Sequence, residues 1–240
     1  MKHPIRNTIH QIADKTGKYT LFLICLLVTL ILFPLVENES FGDICLNAWC
    51  LITMSSLAIS LQDEKHNDKG SLYTGGFVFI LIFISLINRI LKSESGLKHY
   101  DLIDMILLPT VILFIVYVIW VILSSIFRKK QMGADELCGS IVAYILIGIA
   151  WALLYSFIEL LQPNSFSFVS VTDGDLHAKG SALFYYSFVT LTTLGYGDIL
   201  PVSQFARMVA YLEAVTGVMY TAILVAGLVG HIGSHKKEGN

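Results

Sequence analysis

The sequence predicts an all-α membrane protein, on three observations. The chain has 240 residues, of which 55% are hydrophobic and only 14% are charged. Soluble domains carry about 25% charged residues, so this composition is typical of a membrane protein. Six apolar segments approach or exceed the length that crosses a bilayer, and a glycine-spaced stretch lies between the last two.

The six segments are expected to be membrane-spanning helices, because a span takes about twenty apolar residues. They cover residues 19–36, 44–61, 71–91, 102–127, 137–161 and 207–229. The second is the weakest, because it is short and contains Asn47 with several Ser and Thr, which need to face protein. We expect residues 19–127 to form a four-helix domain and residues 137–230 to form a second membrane domain.

The distribution of basic residues predicts the orientation of the chain. Cytoplasmic loops carry an excess of Lys and Arg. With six crossings, eleven of the 16 Lys and Arg lie on the side of the two termini and five on the other side. Both termini, including the tail 231–240, are therefore expected to be cytoplasmic. Residues 1–18 are basic with isoleucines at helical spacing, which fits either an amphipathic helix on the membrane surface or a disordered tail.

Charge, cysteines and catalytic patterns exclude several function classes. The net charge is −2 and there is no basic stripe, so no nucleic-acid partner is expected. The four cysteines lie in or beside apolar segments without metal-ligand spacing, which favours buried hydrophobic side chains. No arrangement of a nucleophile with a base is visible, so the chain is not expected to be an enzyme.

The stretch from Thr192 to Asp198, which reads TTLGYGD, has glycine at alternate positions, Gly195 and Gly197. Consecutive backbone carbonyls point the same way when the chain alternates between ordinary and left-handed dihedrals. Only glycine enters the left-handed region at little cost. Such a row of oxygens can hold a bare cation, with a hydroxyl added by Thr193 and the strand braced by Tyr196.

The residues before this stretch predict a loop and a short helix. Gln162 and Pro163 end the fifth segment, and residues 162–179 have the composition of an outer loop. Ser181 is expected to cap a short re-entrant helix that reaches Thr192. The carboxyl end of that helix, with its negative dipole end, would be directed towards a cation in the membrane.

The sequence Thr193–Gly197, TLGYG, resembles the potassium-channel signature TVGYG, with Leu194 in place of valine. The resemblance covers about residues 137–230 and is strongest over residues 182–201. In that family, carbonyl oxygens from four such loops replace the hydration shell of K⁺. The resemblance implies a homotetramer in a plasma or inner membrane that conducts K⁺ ions, with no other metal. The ion sites would be formed by Thr193, Leu194, Gly195, Tyr196 and Gly197.

A gapless comparison with the family implies roles for the neighbours of this selectivity filter. Tyr185 and Tyr186 stand where the family has an aromatic cuff, and Asp198 matches the acid just outside the filter. We therefore expect a hydrogen bond between Tyr185 and Asp198. Thr192 and Val189 fall at supporting positions. Because Val189 replaces the glutamate of one branch of the family, the filter inactivation of that branch is not expected.

The sixth segment holds the remaining candidates. Gly217 falls at the position of the family's hinge glycine, with close helix packing as the alternative. The residues expected to line the cavity are Val218, Thr221, Ala222 and Val225. Helical counting turns Glu213 away from them, which favours a protonated or hydrogen-bonded structural acid over a proton sensor for gating. His231 and His235 either sense cytosolic pH or belong to a solvated tail.

The first four segments have the number expected of a voltage-sensor domain, but the fourth has no Lys or Arg between Asp104 and Arg128. Steep voltage dependence needs several charges that cross the field. We therefore expect a potassium-selective channel that conducts passively and is not steeply voltage-gated. The alternative is a non-conducting regulatory subunit, or a membrane receptor with a vestigial pore module. Nothing in the sequence indicates a gating ligand or partner.

Overall fold

The computed structural model describes residues 17–32, 100–128, 133–168 and 176–235. This part of the chain contains five helices and two short strands. In order they are α1 (Lys18–Leu32), α2 (Tyr100–Arg128), α3 (Ala134–Leu161), β1 (Phe166–Phe168), α4 (Leu176–Leu191), β2 (Ile199–Pro201) and α5 (Gln204–His235).

Three helices in the described ranges are long and apolar enough to cross a membrane. They cover Met105–Arg128, Ala134–Leu161 and Gln204–Gly227. The chain is therefore an all-α membrane protein, as predicted. The second and third predicted segments and the tail 1–16 lie outside the described residues.

The predicted fourth, fifth and sixth segments correspond to α2, α3 and α5, with shifted ends. α5 begins at Gln204, before the predicted residue 207, because the Ser203 hydroxyl accepts a hydrogen bond from the Ala206 amide at 3.1 Å and so caps the helix. The helix also continues to His235. His231 and His235 of the predicted tail are therefore helical, and the location of this tail in the cytoplasm stays a prediction.

The described residues divide into two compact units, and the first contains α1 and the start of α3, Ala134–Val142. The Asp135 carboxylate accepts hydrogen bonds from the backbone amides of Tyr19 at 2.9 Å and Thr20 at 3.0 Å, and from the Thr20 hydroxyl at 3.2 Å. Because the first amides of a helix have no partners within it, this carboxylate caps α1 from another helix.

The second unit contains α2 from Asp104, the rest of α3 and everything that follows. On α2, the buried residues fall at helical spacing: Ile115, Val118, Ile122 and Ile126. Leu113 and Trp120 are exposed on the same helix. One stripe of α2 is therefore packed, whereas the rest of its surface is apolar and exposed.

Behind α4, three aromatic rings meet edge to face. The Tyr155 ring lies 5.3 Å from Phe166 and 5.1 Å from Tyr186, and Phe166 lies 5.6 Å from Tyr186. These rings share a buried cluster with Leu183 and, from the start of α5, with Ala206 and Val209. The cluster joins α3, α4, α5 and both strands, so it sets the position of α4.

The two strands pair as an antiparallel ladder that the sequence did not predict. Phe166 faces Pro201 and Phe168 faces Ile199. The preceding turn places Asn164 at a φ of 66°, a conformation that asparagine tolerates. Strands of three residues are too short to show an alternating pattern in the sequence.

The prediction that Ser181 caps the short helix is wrong. α4 begins at Leu176, and Ser181 lies inside it as an exposed residue. The Lys179 ammonium group lies 3.4 Å from the Glu159 carboxylate of α3. This ion pair holds the additional turn of α4, so the predicted outer loop ends before residue 176.

Candidate functional site

The TLGYG segment (residues 193–197) alternates in backbone conformation. Thr193, Gly195 and Gly197 have φ values of 59°, 58° and 80°, whereas Leu194 and Tyr196 between them have ordinary values. A Cβ atom at either glycine would meet no atom within 4 Å in the single chain. Glycine is therefore required there for its left-handed conformation and not for space.

Thr193 extends this alternation by one residue, which the sequence analysis missed. A left-handed conformation costs a residue with a Cβ about 1–2 kcal/mol. Two hydrogen bonds to the end of α4 hold the segment in place: the Thr193 amide donates to Thr190 at 2.9 Å and the Leu194 amide donates to Val189 at 2.9 Å. Counting back by two from Gly195 would have identified this position.

The carbonyl oxygens of the TLGYG segment are available to a ligand. Its first amides are directed to α4, and the Gly195 amide donates to Val189 at 3.3 Å. Within the described ranges, no backbone hydrogen bond is made to the carbonyl oxygens of residues 193–197. The side chains of Leu194 and Tyr196 are 55% and 66% exposed in the single chain.

The two predicted cuff residues lie in different surroundings. The Tyr185 ring stacks parallel to Tyr196, with centroids 6.5 Å apart, and the Asp198 carboxylate acts electrostatically on its phenol. The hydrogen bond between Tyr185 and Asp198 stays a prediction. Tyr186 is only 7% exposed and lies in the aromatic cluster with Tyr155 and Phe166. In the single chain, Tyr185 is therefore the tyrosine of the pair that stacks on the TLGYG segment.

The two other supporting residues lie at the end of α4. Val189 is buried, and its carbonyl oxygen accepts the amides of Leu194 and Gly195. The Thr192 hydroxyl donates to the Phe188 carbonyl at 2.7 Å, and its amide donates to the same carbonyl at 3.1 Å. The TLGYG segment thus begins directly where α4 ends.

Gly217 of α5 packs against the end of α4. A Cβ atom at this position would overlap the Leu191 carbonyl oxygen, which belongs to the backbone and cannot move aside as a side chain would. The close packing that was the alternative in the sequence analysis is therefore present, while the hinge role stays a prediction. The predicted cavity residues are all exposed in the single chain: Val218, Thr221, Ala222 and Val225.

Glu213 is fully buried between three helices, at 0% exposure. The Tyr155 hydroxyl donates to its Oε2 atom, and the Ser187 Oγ atom lies 2.5 Å from its Oε1 atom. Ser187 also lies 2.7 Å from the carbonyl oxygen of Gly148. These contacts form a network that begins and ends on α3, with Tyr155 and Gly148. The sequence analysis indicated neither Ser187 nor Gly148.

Glu159 organises the connection between α3 and β1, and the sequence analysis missed it. Its carboxylate accepts the backbone amides of Asn164 at 3.0 Å and Ser165 at 2.9 Å, in addition to the Lys179 ammonium group. An acid three residues before a helix-breaking Gln–Pro pair was the available signal. No cluster of His, Cys, Asp and Glu suited to a metal ion occurs among the residues that the structure covers.

The comparisons with known proteins agree with this geometry. Residues 157–232 match a family model described as "Ion channel". The chain is 30% identical over 119 residues to the potassium voltage-gated channel protein shk-1 of Caenorhabditis elegans, an alignment that covers 50% of this chain and 20% of the relative. It is 29% identical over 107 residues to the voltage-gated potassium channel Kch of Escherichia coli, covering 44% of this chain and 23% of the relative.

A third relative is the human potassium voltage-gated channel subfamily A member 10, 32% identical over 97 residues, covering 39% of this chain and 16% of the relative. The chain thus spans about a fifth of the length of the curated relatives it matches. No solved structure matches the chain significantly. The family match includes the TLGYG segment, all of β2 and α5 up to residue 232. The carboxyl-terminal part of this chain therefore resembles the ion-channel family, and the chain is similar to potassium channels.

Proposed function

We propose that the chain is a subunit of a potassium-selective channel that conducts K⁺ passively across a plasma or inner membrane. The observation that carries this proposal is the alternating backbone of the TLGYG segment, with carbonyl oxygens that no described backbone amide engages. K⁺ is released from water only where oxygen ligands replace its hydration shell. Thr193, Leu194, Gly195, Tyr196 and Gly197 supply these ligands.

The channel is a homotetramer of six-helix subunits. One chain supplies one row of carbonyl oxygens. A K⁺ ion that is coordinated from all sides needs such rows from several chains arranged around a symmetry axis. The exposed apolar residues of α5 support this assembly: Val215, Val218, Met219, Ile223 and Val225. A cavity below the filter and contacts with neighbouring copies account for that surface. Six crossings would put both termini on one side of the membrane, and the excess of Lys and Arg on that side supports the cytoplasm.

The surrounding residues hold the filter in position. Tyr185, stacked on Tyr196 and expected to bond to Asp198, braces one end of the TLGYG segment, while Val189 and Thr192 connect the other end to α4. Gly217 is the candidate hinge of the inner helix. Residues 19–127 are the proposed four-helix membrane domain, and residues 137–230 are the proposed pore domain.

Ion flux into liposomes that carry the purified full chain tests this function. We expect the protein to elute as a tetramer and to admit K⁺ and Rb⁺ but not Na⁺. Gly195→Ala should abolish the flux, because a Cβ atom at φ 58° is strained by about 1–2 kcal/mol in each subunit. The matched control is Gly180→Ala, where a Cβ meets no atom within 4 Å and φ is ordinary.

Other outcomes identify other functions. Intact tetramers without flux would favour a non-conducting regulatory subunit or a receptor with a vestigial pore. Equal entry of Na⁺ and K⁺ would indicate a weakly selective cation channel. A particle without fourfold symmetry would contradict the proposal.

A further inference from the structure

Three oxygen-to-oxygen contacts connect α3, α4 and α5 behind the TLGYG segment. Tyr155 on α3 contacts Glu213 on α5, Glu213 contacts Ser187 on α4, and Ser187 contacts the carbonyl oxygen of Gly148 on α3. All four residues are buried, with Tyr155, Ser187 and Glu213 at 0% exposure. Each contact brings two electronegative oxygens together in an apolar interior, so each requires a hydrogen atom between them.

The number of available hydrogen atoms decides the charge of Glu213. The Gly148 carbonyl has none to give, the Tyr155 and Ser187 hydroxyls have one each, and an ionised carboxylate has none. With an ionised Glu213, two hydrogen atoms would serve three contacts. The Ser187 hydroxyl could then donate to only one of Glu213 and Gly148, and its contact with the other oxygen would be repulsive. A protonated carboxyl group supplies the third hydrogen and satisfies all three contacts.

The surroundings of Glu213 agree with a neutral group. Among the described residues, the titratable side chains that feel the charge of Glu213 include the phenols of Tyr144, Tyr155 and Tyr186, which are themselves neutral in their ordinary state. Within the described ranges, no Lys, Arg or His forms an ion pair with Glu213. An isolated carboxylate buried in this way is strongly destabilised relative to its protonated form.

We infer that Glu213 is held as a neutral carboxylic acid and acts as a positioning residue for the filter. Its hydrogen bonds run in one direction: Tyr155 donates to Glu213, Glu213 donates to Ser187, and Ser187 donates to the Gly148 carbonyl. The protonation state of Glu213 is independent of the proposed channel function. Only the role of the network in positioning the filter rests on that function. Ser187 lies on α4, and the last carbonyl groups of α4 accept the amides of the TLGYG segment. The network therefore joins α5, which carries Glu213, to the filter.

Substitution by glutamine is the discriminating variant. The glutamine amide has an oxygen that accepts from Tyr155 and an NH₂ group that donates to Ser187, so it reproduces a neutral acid but not a carboxylate. We expect Glu213→Gln to keep the thermal stability of the tetramer and the ratio of K⁺ to Na⁺ flux within about twofold of the unaltered protein. Glu213→Ala and Ser187→Ala each leave buried hydrogen-bonding groups unpaired and should lower that ratio by about tenfold.

The matched control for Ser187→Ala is Ser156→Ala on α3, because Ser156 only donates to the carbonyl of its own helix, at 3.0 Å from Ala152. It should leave the flux ratio unchanged. Infrared difference spectra between the unaltered protein and Glu213→Gln provide an independent readout at neutral pH. They should contain the carbonyl band of a protonated carboxyl group, which the glutamine variant lacks.

The infrared band and the thermal stabilities test the network independently of ion flux, which tests the channel function. If the unaltered protein passes no K⁺, the proposed function fails, but the infrared band and the order of thermal stabilities still test the network. A carboxylate signal for Glu213 in place of the protonated band would overturn the inference. So would a Glu213→Gln variant that is as impaired as Glu213→Ala.

Discussion

At the scale of single residues, Gly217 lets two helices approach each other closely. The missing side chain lets α5 lie directly on the Leu191 carbonyl, at the end of the helix that precedes the TLGYG segment. We expect Gly217→Ala to destabilise the tetramer by about 1–3 kcal/mol, because an added methyl group must displace backbone. Thermal unfolding in detergent measures this change.

Gly227 of the same helix provides the control, because a Cβ atom there meets no atom within 4 Å. Gly227→Ala should be neutral, or stabilising by up to about 1 kcal/mol, since alanine is the better helix former. Equal effects of the two substitutions would show that the loss at Gly217 comes from reduced bending and not from packing.

Single residues were predictable where chemistry alone specifies them. The left-handed positions Gly195 and Gly197 follow from the conformational freedom of glycine, and the direction of Glu213 follows from helical counting. Thr193 was missed because its left-handed conformation is imposed by hydrogen bonds to the end of α4 and not by its own preference. The partners of Glu213 depend on how three helices meet, which spacing along one chain cannot reveal.

At the scale of elements, α4 and β1 are held in place by Glu159. Ser165 is only 1% exposed, so its amide depends on the Glu159 carboxylate, which also accepts the part-buried amide of Asn164. We expect Glu159→Ala to cost about 2 kcal/mol, the usual penalty for a buried amide that loses its acceptor. Thermal unfolding and faster hydrogen exchange at these two amides measure the effect.

Lys179→Met separates the ion pair from the amide contacts. The Lys179 ammonium group is 3.4 Å from Glu159 and partly exposed, so its loss should cost less than about 1 kcal/mol. A larger effect of Lys179→Met than of Glu159→Ala would contradict this assignment and make the ion pair the main anchor of α4.

The long helices were predictable because twenty or more apolar residues have few other stable forms in a membrane. Their ends were less predictable, because they depend on polar contacts such as the Ser203 cap of α5 and the Lys179–Glu159 pair at α4. The three-residue strands were not predictable, because their pairing connects residues on the two sides of α4.

At the scale of the whole molecule, the composition of α2 predicts a weak dependence of conductance on voltage. From Met105 to Phe127 it has no Lys or Arg. Voltage sensors move about three to four charges per subunit through the field. We therefore expect a shallow conductance–voltage relation in planar bilayers, with an effective charge far below that number. A steep curve equivalent to several charges would overturn this expectation and point to charges outside α2.

The number of subunits in the assembly is the property that is hardest to predict from one sequence. Spacing within one chain predicts which oxygens of the TLGYG segment would bind an ion, but the proposed number of copies follows only from the coordination that K⁺ requires. The capping of α1 by Asp135 shows the same limit, because it joins residues more than a hundred positions apart.

The ladder between β1 and β2 has a mechanical consequence for the pore module. It closes the chain into a ring that starts at Phe168, passes through α4 and the TLGYG segment, and returns at Ile199. Force applied to one strand is transmitted to the other, so the TLGYG segment is tethered at both ends. We therefore expect any conformational change of this segment that leaves the strands paired to consist of rotations of peptide groups within the ring.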